Sequence, residues 1–336
     1  MKLSRFVNVF RKSLDITRRA RAAFDEGLHR CESCGHASPL ATLPPLTIVP
    51  CPSCGFKGLV PYRLNDYLLF EPLGAGGVSS VYKALHRDSY SQHRLFAAKL
   101  LRSDKSVDEA ILDEFLREGE IHHAVSPHPG IAQFIELGHS DGEYFHIMEF
   151  IPGESVKTRV ESSGRILEPL ALKWLLETTQ ALHHIRDKGF LYRDISPGNL
   201  LIRGDQSVCL IDFGLALPIA EADAAEQRSI VVGTPEYLPP ERVQQLGEDE
   251  RSSIYGLGML LFFMLKGEPL IKGGTHAKAA LQHVSSIRVA FNERMLPPDT
   301  TPEAVALLGH MIKYDPVDRP ATFEEVEATL TRLLAR

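Results

Sequence analysis

The sequence predicts an α+β fold in successive parts, and three observations predict it. A cysteine-bearing, proline-rich stretch lies near the N-terminus, alternating β-type segments run from Asp66 to Met148, and the pattern turns helical after Gly153. At 336 residues, with 44% apolar and 24% charged side chains, the chain has the make-up of a globular protein that buries a core, which excludes disorder as its main state. A net charge of −6 provides no general attraction for a polyanion, so nucleic acid is not an expected partner.

Residues 1–30 form a basic segment that is expected to be helical. Eight Lys or Arg (Lys2, Arg5, Arg11, Lys12, Arg18, Arg19, Arg21 and Arg30) stand against three acids, and Leu3, Phe6, Val7, Phe10 and Leu14 recur at helical spacing. Such a face either docks on its own protein or touches anionic lipid peripherally. Asn8 interrupts its apolar run and Arg11 and Lys12 follow at once, unlike a secretion signal. No window reaches the roughly 20 apolar residues of a membrane span, residues 259–265 being the best candidate and far too short. Five cysteines, four of them in two close pairs, fit metal binding in a reducing compartment, so a cytoplasmic chain is expected.

Residues 31–60 read as a module of their own. Cys31-Glu-Ser-Cys34-Gly and Cys51-Pro-Ser-Cys54-Gly are separated by 16 residues, with Pro39, Pro44, Pro45 and Pro50 between them and no helical period. Two residues between thiolates let both sulfurs reach one tetrahedral ion, and the glycine after each pair permits a tight turn whose amides point at sulfur. Four thiolates leave no open position, so the expected Zn²⁺ is structural; His36 is a surface residue on this reading. A pair of redox dithiols is the weaker alternative, because the strand-to-helix setting of such motifs is missing. The unit resembles a zinc ribbon, and a fragment so small needs its ion to fold.

Beyond it, strands are expected over 67–73, 80–84, 95–101, 131–137 and 144–148, with helices over 107–125 and 167–188, the latter stopped by Gly189. Residues 221–226, rich in Ala, Asp and Glu, read as a loop. At a strand-to-strand turn stands Leu73-Gly74-Ala75-Gly76-Gly77-Val78-Ser79-Ser80-Val81, where missing side chains let backbone amides close over phosphate oxygens. On the next apolar strand Ala97-Ala98-Lys99 puts an ammonium among hydrophobic neighbours, which needs an anionic partner; Glu118 or Glu120 of the following helix can supply it.

Two further runs complete the pattern: Tyr192-Arg193-Asp194-Ile195-Ser196-Pro197-Gly198-Asn199 and, a short distance on, Asp212-Phe213-Gly214. With Gly233-Thr234-Pro235-Glu236-Tyr237-Leu238-Pro239-Pro240-Glu241 and a late Asp315-Pro316-Val317-Asp318-Arg319-Pro320, these resemble the protein kinase family, in its bacterial, eukaryotic-like Ser/Thr branch. The resemblance spans about residues 64–334. It implies a two-lobed kinase fold after the zinc ribbon, with a small lobe over about 64–150 and a large one over about 151–336.

By the same resemblance, the 73–81 loop and Lys99 hold the phosphates of ATP, and Lys99 is positioned by Glu118, which the count to His128-Pro129 favours. Met148 would be the gatekeeper, with the backbone of Glu149 and Ile151 reaching adenine. Asp194 would orient the substrate hydroxyl, and Asn199 and Asp212 would hold Mg²⁺. Glu241 and Arg319 would form a buried ion pair. Thr234 is expected to touch Asp194, and Arg193 to offer a cation to a phosphorylated activation segment, with Ser229 as the acceptor. The implied function is ATP-dependent phosphorylation of protein Ser/Thr, with autophosphorylation, and protein substrates as partners; the alternative is a catalytically weak pseudokinase scaffold. A small-molecule kinase of related fold fits the 233–241 segment less well.

The sequence departs from the family at four places. Ser79 stands at the third loop glycine, and Tyr192 at the catalytic-loop His. Ser196 replaces a Lys that stabilises the transferring phosphoryl, a contact worth about 2–3 kcal/mol. Ser253 replaces an Asp that holds the catalytic-loop backbone.

Overall fold

The computed structural model describes residues 21–89, 94–101, 108–222, 232–272, 275–284 and 291–335. The chain packs as two units, one made of the residues up to 115 with 134–150, the other of 116–133 with 151 onward.

In the first unit the cysteine-bearing stretch folds as two hairpins. Strand β1 (Leu28–Arg30) pairs antiparallel with β2 (Ala37–Pro39), and β3 (Ile48–Pro50) with β4 (Lys57–Leu59). An antiparallel sheet follows, built from β5 (Tyr62–Leu64), β6 (Tyr67–Ala75), β7 (Ser79–His86), β8 (Leu95–Leu101), β9 (Phe134–Ser140) and β10 (Glu143–Glu149) in the order β5-β6-β7-β8-β10-β9. Leu64, Leu69, Ala84, Phe96, Ala98, Leu100, Phe145 and Ile147 form its core, at the two-residue spacing of strands with one buried face.

The hairpins are joined to that sheet rather than tethered to it. Leu46 packs on the sheet core, its N–H donates to the carbonyl of Val60 at 3.0 Å, and the chain then enters the sheet directly as β5. Arg63 of β5 meets Asp25 at 3.1 Å and lies over the Phe24 ring, which fixes the helical residues 21–25. The apolar face expected over residues 3–14 falls outside the described residues.

The strand expected at 95–101 has those bounds, whereas the one expected at 131–137 begins at Phe134. Ile131 is taken by a bridge to Leu210, and the N–H of Ala132 donates to the Leu210 carbonyl, so residues 131–132 pair away from the sheet. Glu221 and Ala222, expected in a loop, form a helical turn (Ile219–Ala222) because Ala222 is buried with Leu191 and Leu217; residues 223–226 lie outside the described residues.

The second unit is mainly helical, with Val156–Ser163, Glu168–Asp187, Glu250–Lys266, His276–Val284, Pro302–Met311 and Phe323–Leu334. Two short hairpins, Leu200–Ile202 with Val208–Leu210 and Phe190–Leu191 with Leu217–Pro218, carry the loops that matter for function. Every residue from Ser252 to Leu265 is buried, so the run at 259–265 is the middle of a core helix, apolar on all sides. Asp249 caps that helix by accepting from the N–H of Arg251, and Gly267 ends it in the left-handed region. Among the described residues no helix is long and apolar enough to cross a membrane.

Glu241 and Arg319 form the expected pair. Nη1 and Nη2 of Arg319 donate to the two carboxylate oxygens at 2.7 and 2.9 Å, and both residues are 3% exposed. Ser252 Oγ donates to Glu241, while the carbonyls of Arg251, Lys313 and Tyr314 take the remaining guanidinium donors. A buried pair with every donor matched is destabilised chiefly when one partner goes. Arg319→Ala, which strands Glu241, is expected to lower unfolding free energy by about 3–5 kcal/mol in denaturant melts, against under about 0.5 kcal/mol for an exposed control such as Arg332→Ala.

Candidate active site and metal centre

The loop 192–199 is built around Asp194. Its Oδ1 accepts from the Thr234 N–H at 3.2 Å and from Thr234 Oγ1 at 2.9 Å, the contact expected from the sequence. Its Oδ2 accepts from Asn199 Nδ2 at 2.7 Å, and Nδ2 also reaches the Asp194 carbonyl at 3.1 Å. Both carboxylate oxygens are thereby oriented, and an aliphatic hydroxyl already sits within hydrogen-bond reach of one of them. With Nδ2 turned to Asp194, the amide oxygen of Asn199 is the atom left to face a cation.

Asp212 follows the Val208–Leu210 strand, its Oδ1 accepting from the Gly214 N–H at 3.1 Å. Glu118 is 7% exposed and its carboxylate lies beside the same turn, 3.4 Å from where a Cβ on Gly214 would be, whereas Glu120 is exposed. Of the two glutamates, Glu118 is thus the one turned into the protein beside Asp212-Phe213-Gly214. Phe213 is wedged between His122, stacked on it at 4.6 Å, and Tyr192, edge-on at 5.3 Å. His122 Nε2 donates to the Ala132 carbonyl, which fixes its tautomer.

Tyr192 is 1% exposed, and burial, with Asp194 next, pushes its phenol far above the ordinary tyrosine range. It therefore stays neutral and serves as a hydrophobic wall, its hydroxyl without a hydrogen-bond partner among the described residues. Ser196 is 5% exposed, so the residue at the position of the missing Lys points into the protein.

In the first unit, Leu73, Gly74 and Ala75 end β6, Gly76 and Gly77 lie in the turn to β7, and Val81 opposes Lys99 across β7 and β8. None of the three glycines has a positive φ, and a Cβ on Gly74 or Gly77 would meet nothing within 4 Å. The turn itself therefore does not require them; what their bareness offers is open approach to the backbone from outside. Lys99 is half-buried on β8, Met148 and Glu149 end β10, and Ile151 opens the second unit, 4% exposed.

The four cysteines converge. Cys31 and Cys54 sulfurs are 3.7 Å apart, Cys34 and Cys51 3.6 Å, and all four lie within 4.8 Å of one another. Bonds of about 2.3 Å to a tetrahedral zinc put sulfurs about 3.8 Å apart, so the cage fits that ion without rearrangement. The two turns repeat each other: Gly35 donates to the Cys31 carbonyl and Gly55 to that of Cys51, at φ of 75° and 74°. Cys31 and Cys51 N–H groups each close a hairpin, onto His36 and Phe56. The His36 amide lowers the Cys34 thiol to about 7; the Phe56 amide pulls Cys54 the same way, but the neighbouring thiols drive it to about 11. As thiolates, four sulfurs so close repel one another unless a cation lies between them. His36 is exposed, as expected of a non-ligand.

Two groups not foreseen from the sequence hold the segment after Gly233. His283 is 1% exposed, accepts from the Tyr255 hydroxyl at Nδ1 (2.8 Å) and donates from Nε2 to the Pro235 carbonyl (2.9 Å). Burial lowers it to about 4, so it is neutral at physiological pH. Arg193, expected to await a phosphate, instead meets Glu248, which also binds Arg242; Ser229 lies outside the described residues.

A unit built on an antiparallel sheet and a mainly helical unit carrying this loop define a class, and comparison with known proteins agrees with it. Residues 67–330 match the protein kinase domain, and the chain belongs to that family. Among curated relatives, it is 33% identical over 279 residues to the serine/threonine-protein kinase PknB of Mycolicibacterium smegmatis, covering 81% of this chain and 44% of that protein. It is 31% identical to PknB of Mycobacterium tuberculosis, again over 81% and 44%, and to serine/threonine-protein kinase pkn2 of Myxococcus xanthus, over 79% and 32%. The chain thus spans less than half the length of these relatives.

Purified chain is expected to carry one zinc per molecule by elemental analysis. Cys51→Ser should lose the metal and open amides 28–60 to exchange, with the second unit's core helices unaffected; a metal-free wild type with the same protected hairpins would contradict the assignment.

Proposed function

We propose that this chain is an ATP- and Mg²⁺-dependent protein kinase acting on Ser and Thr hydroxyls. The observation that carries the reading is the pair of contacts from Thr234 and Asn199 that orient both oxygens of Asp194. A neutral alcohol becomes a nucleophile when a fixed carboxylate accepts its proton's hydrogen bond, and the Thr234 hydroxyl shows that Asp194 Oδ1 can receive one. The family membership and the Ser/Thr kinases among its relatives point the same way.

In this reading Asp194 orients the incoming hydroxyl and takes its proton as the phosphoryl transfers. Asn199 and Asp212 offer oxygen donors suited to a hard divalent ion, which, when bound, neutralises phosphate charge. Leu73, Gly74, Ala75, Gly76, Gly77 and Val81 cover the phosphates, Lys99 pairs with them, and Glu118 positions Lys99. Glu149 and Ile151 would bind adenine through their backbones. Tyr192 holds Phe213 by packing and takes no part in proton transfer. The cage of Cys31, Cys34, Cys51 and Cys54 would hold a structural Zn²⁺, and a cytoplasmic setting, where thiolates persist, goes with that role.

The first test is Mg²⁺-dependent transfer of labelled γ-phosphate from ATP to the chain itself and to a generic protein, for wild type and Asp194→Ala. Label on Ser and Thr that falls by about 10²–10⁴ in the variant is expected. No transfer from folded, zinc-loaded wild type, or equal transfer by both, would sink the kinase reading and leave a scaffold.

A further inference from the structure

Arg193, directly before Asp194, has φ of 69°, a left-handed backbone that costs a non-glycine residue about 1–3 kcal/mol and persists only where its surroundings impose it. What imposes it here is a buried three-residue cluster. Arg193 Nε donates to Glu248 Oε1 at 2.9 Å and Nη2 reaches the same oxygen. From the other side, Arg242 Nε and Nη2 donate to Glu248 Oε2 at 2.9 and 2.6 Å. Arg242 Nη1 then donates to the Arg193 carbonyl at 2.6 Å, gripping the strained residue by its backbone.

The three side chains are almost free of water, Glu248 being 3% and each arginine 7% exposed. Burial alone would push the Glu248 carboxyl up, but the Arg242 and Arg193 guanidiniums outweigh it and hold it below the usual carboxylate range. Gly233, at φ of 125°, is part of the fit: a Cβ there would lie 3.2 Å from Arg242 Nη1 and 2.8 Å from Leu238 Cδ2. The cluster therefore ties the catalytic loop to the segment that carries Thr234 and to the start of the helix Glu250–Lys266.

The loop lacks one acid that the family places beside it. Ser253, on that helix and 6% exposed, carries no charge where an acid would brace the loop. Arg193, to which the resemblance assigns a phosphate as partner, pairs here with the Glu248 carboxylate. We propose that Glu248 fills both roles as a positioning residue, clamping Arg193 with Arg242 so that the catalytic loop is formed without a phosphate on the activation segment.

The inference rests on the kinase reading, and its test separates the two. Full-length, zinc-loaded wild type is compared before and after phosphatase treatment. Transfer rates from first turnovers should agree within about twofold, and amides 192–199 should exchange equally slowly. Glu248→Gln keeps the shape and removes the charge; it should lower kcat about 10–100-fold, leave the ATP KM nearly unchanged, and speed exchange of 192–199 while the core helices stay protected. Adding Ser253→Asp to Glu248→Gln should restore much of kcat, since an acid returns to the loop from the helix that begins just after Glu248.

Loss of wild-type transfer on phosphatase treatment overturns the proposal, as does a Glu248→Gln chain with wild-type kcat and exchange. Failure of Ser253→Asp to restore kcat overturns the replacement of that acid. If Glu248→Gln does not fold, the phosphatase comparison on wild type decides alone. A wild type inactive in both states sinks the kinase reading instead, and the exchange of 192–199 then judges the clamp.

Discussion

Two carboxylates with almost no access to water, Glu241 and Glu248, govern the arrangement of the larger unit. A buried carboxylate is costly unless guanidinium donors surround it, and each has found them: Arg319 with Ser252 for Glu241, Arg193 with Arg242 for Glu248. These partners come from segments far apart in the chain, from the catalytic loop to the last helices. Their geometry leaves little freedom in how the loop 192–199, the segment at Thr234 and the central helix Glu250–Lys266 meet. Apolar packing around Trp174, Tyr255 and Phe213 fills the interior but carries no such directional demand.

The same rule, a concentrated charge that must be answered locally, governs the other unit. Four cysteine sulfurs within 4.8 Å cannot all ionise without a cation, and a segment as short as the two hairpins that present them buries little apolar surface of its own. Leu46 and β5 continue from these hairpins into the sheet that bears the glycine loop and Lys99. Order in residues 28–60 is therefore passed directly to the first strands of that sheet.

Much of this was legible in the sequence because it was written in local chemistry. The glycine after each Cys-x-x-Cys pair pointed to a tight turn, and Gly35 and Gly55 make it with a left-handed backbone. The pairing of Glu241 with Arg319 and the contact of Thr234 with Asp194 followed from the resemblance. Ile131 was misjudged as a strand residue because its apolar pattern does not reveal which partner, Leu210, claims it. Glu248 was missed for a plainer reason. In the run Gly247-Glu248-Asp249-Glu250-Arg251 it looks like one of several exposed acids at a helix start, and its neighbour Asp249 is indeed the cap. The available signal was indirect: the uncharged Ser253 stands where the family places an acid, and the sequence does not reveal which other acid lies near the loop. Burial of His283 and His122 was invisible for the same reason, since their partners Pro235 and Ala132 are backbone carbonyls.

The central claim is that Arg242 and Glu248 act on the catalytic loop as one unit, and a double-mutant cycle on phosphoryl transfer tests it most directly. Arg242→Met, Glu248→Gln and the double variant would be compared with wild type in kcat at saturating ATP and Mg²⁺. The account predicts strong non-additivity, a coupling of about 1.5 kcal/mol or more, with the double variant little worse than either single change. Effects that simply add would mean that the two residues support the protein separately, and that the catalytic loop is held by something else.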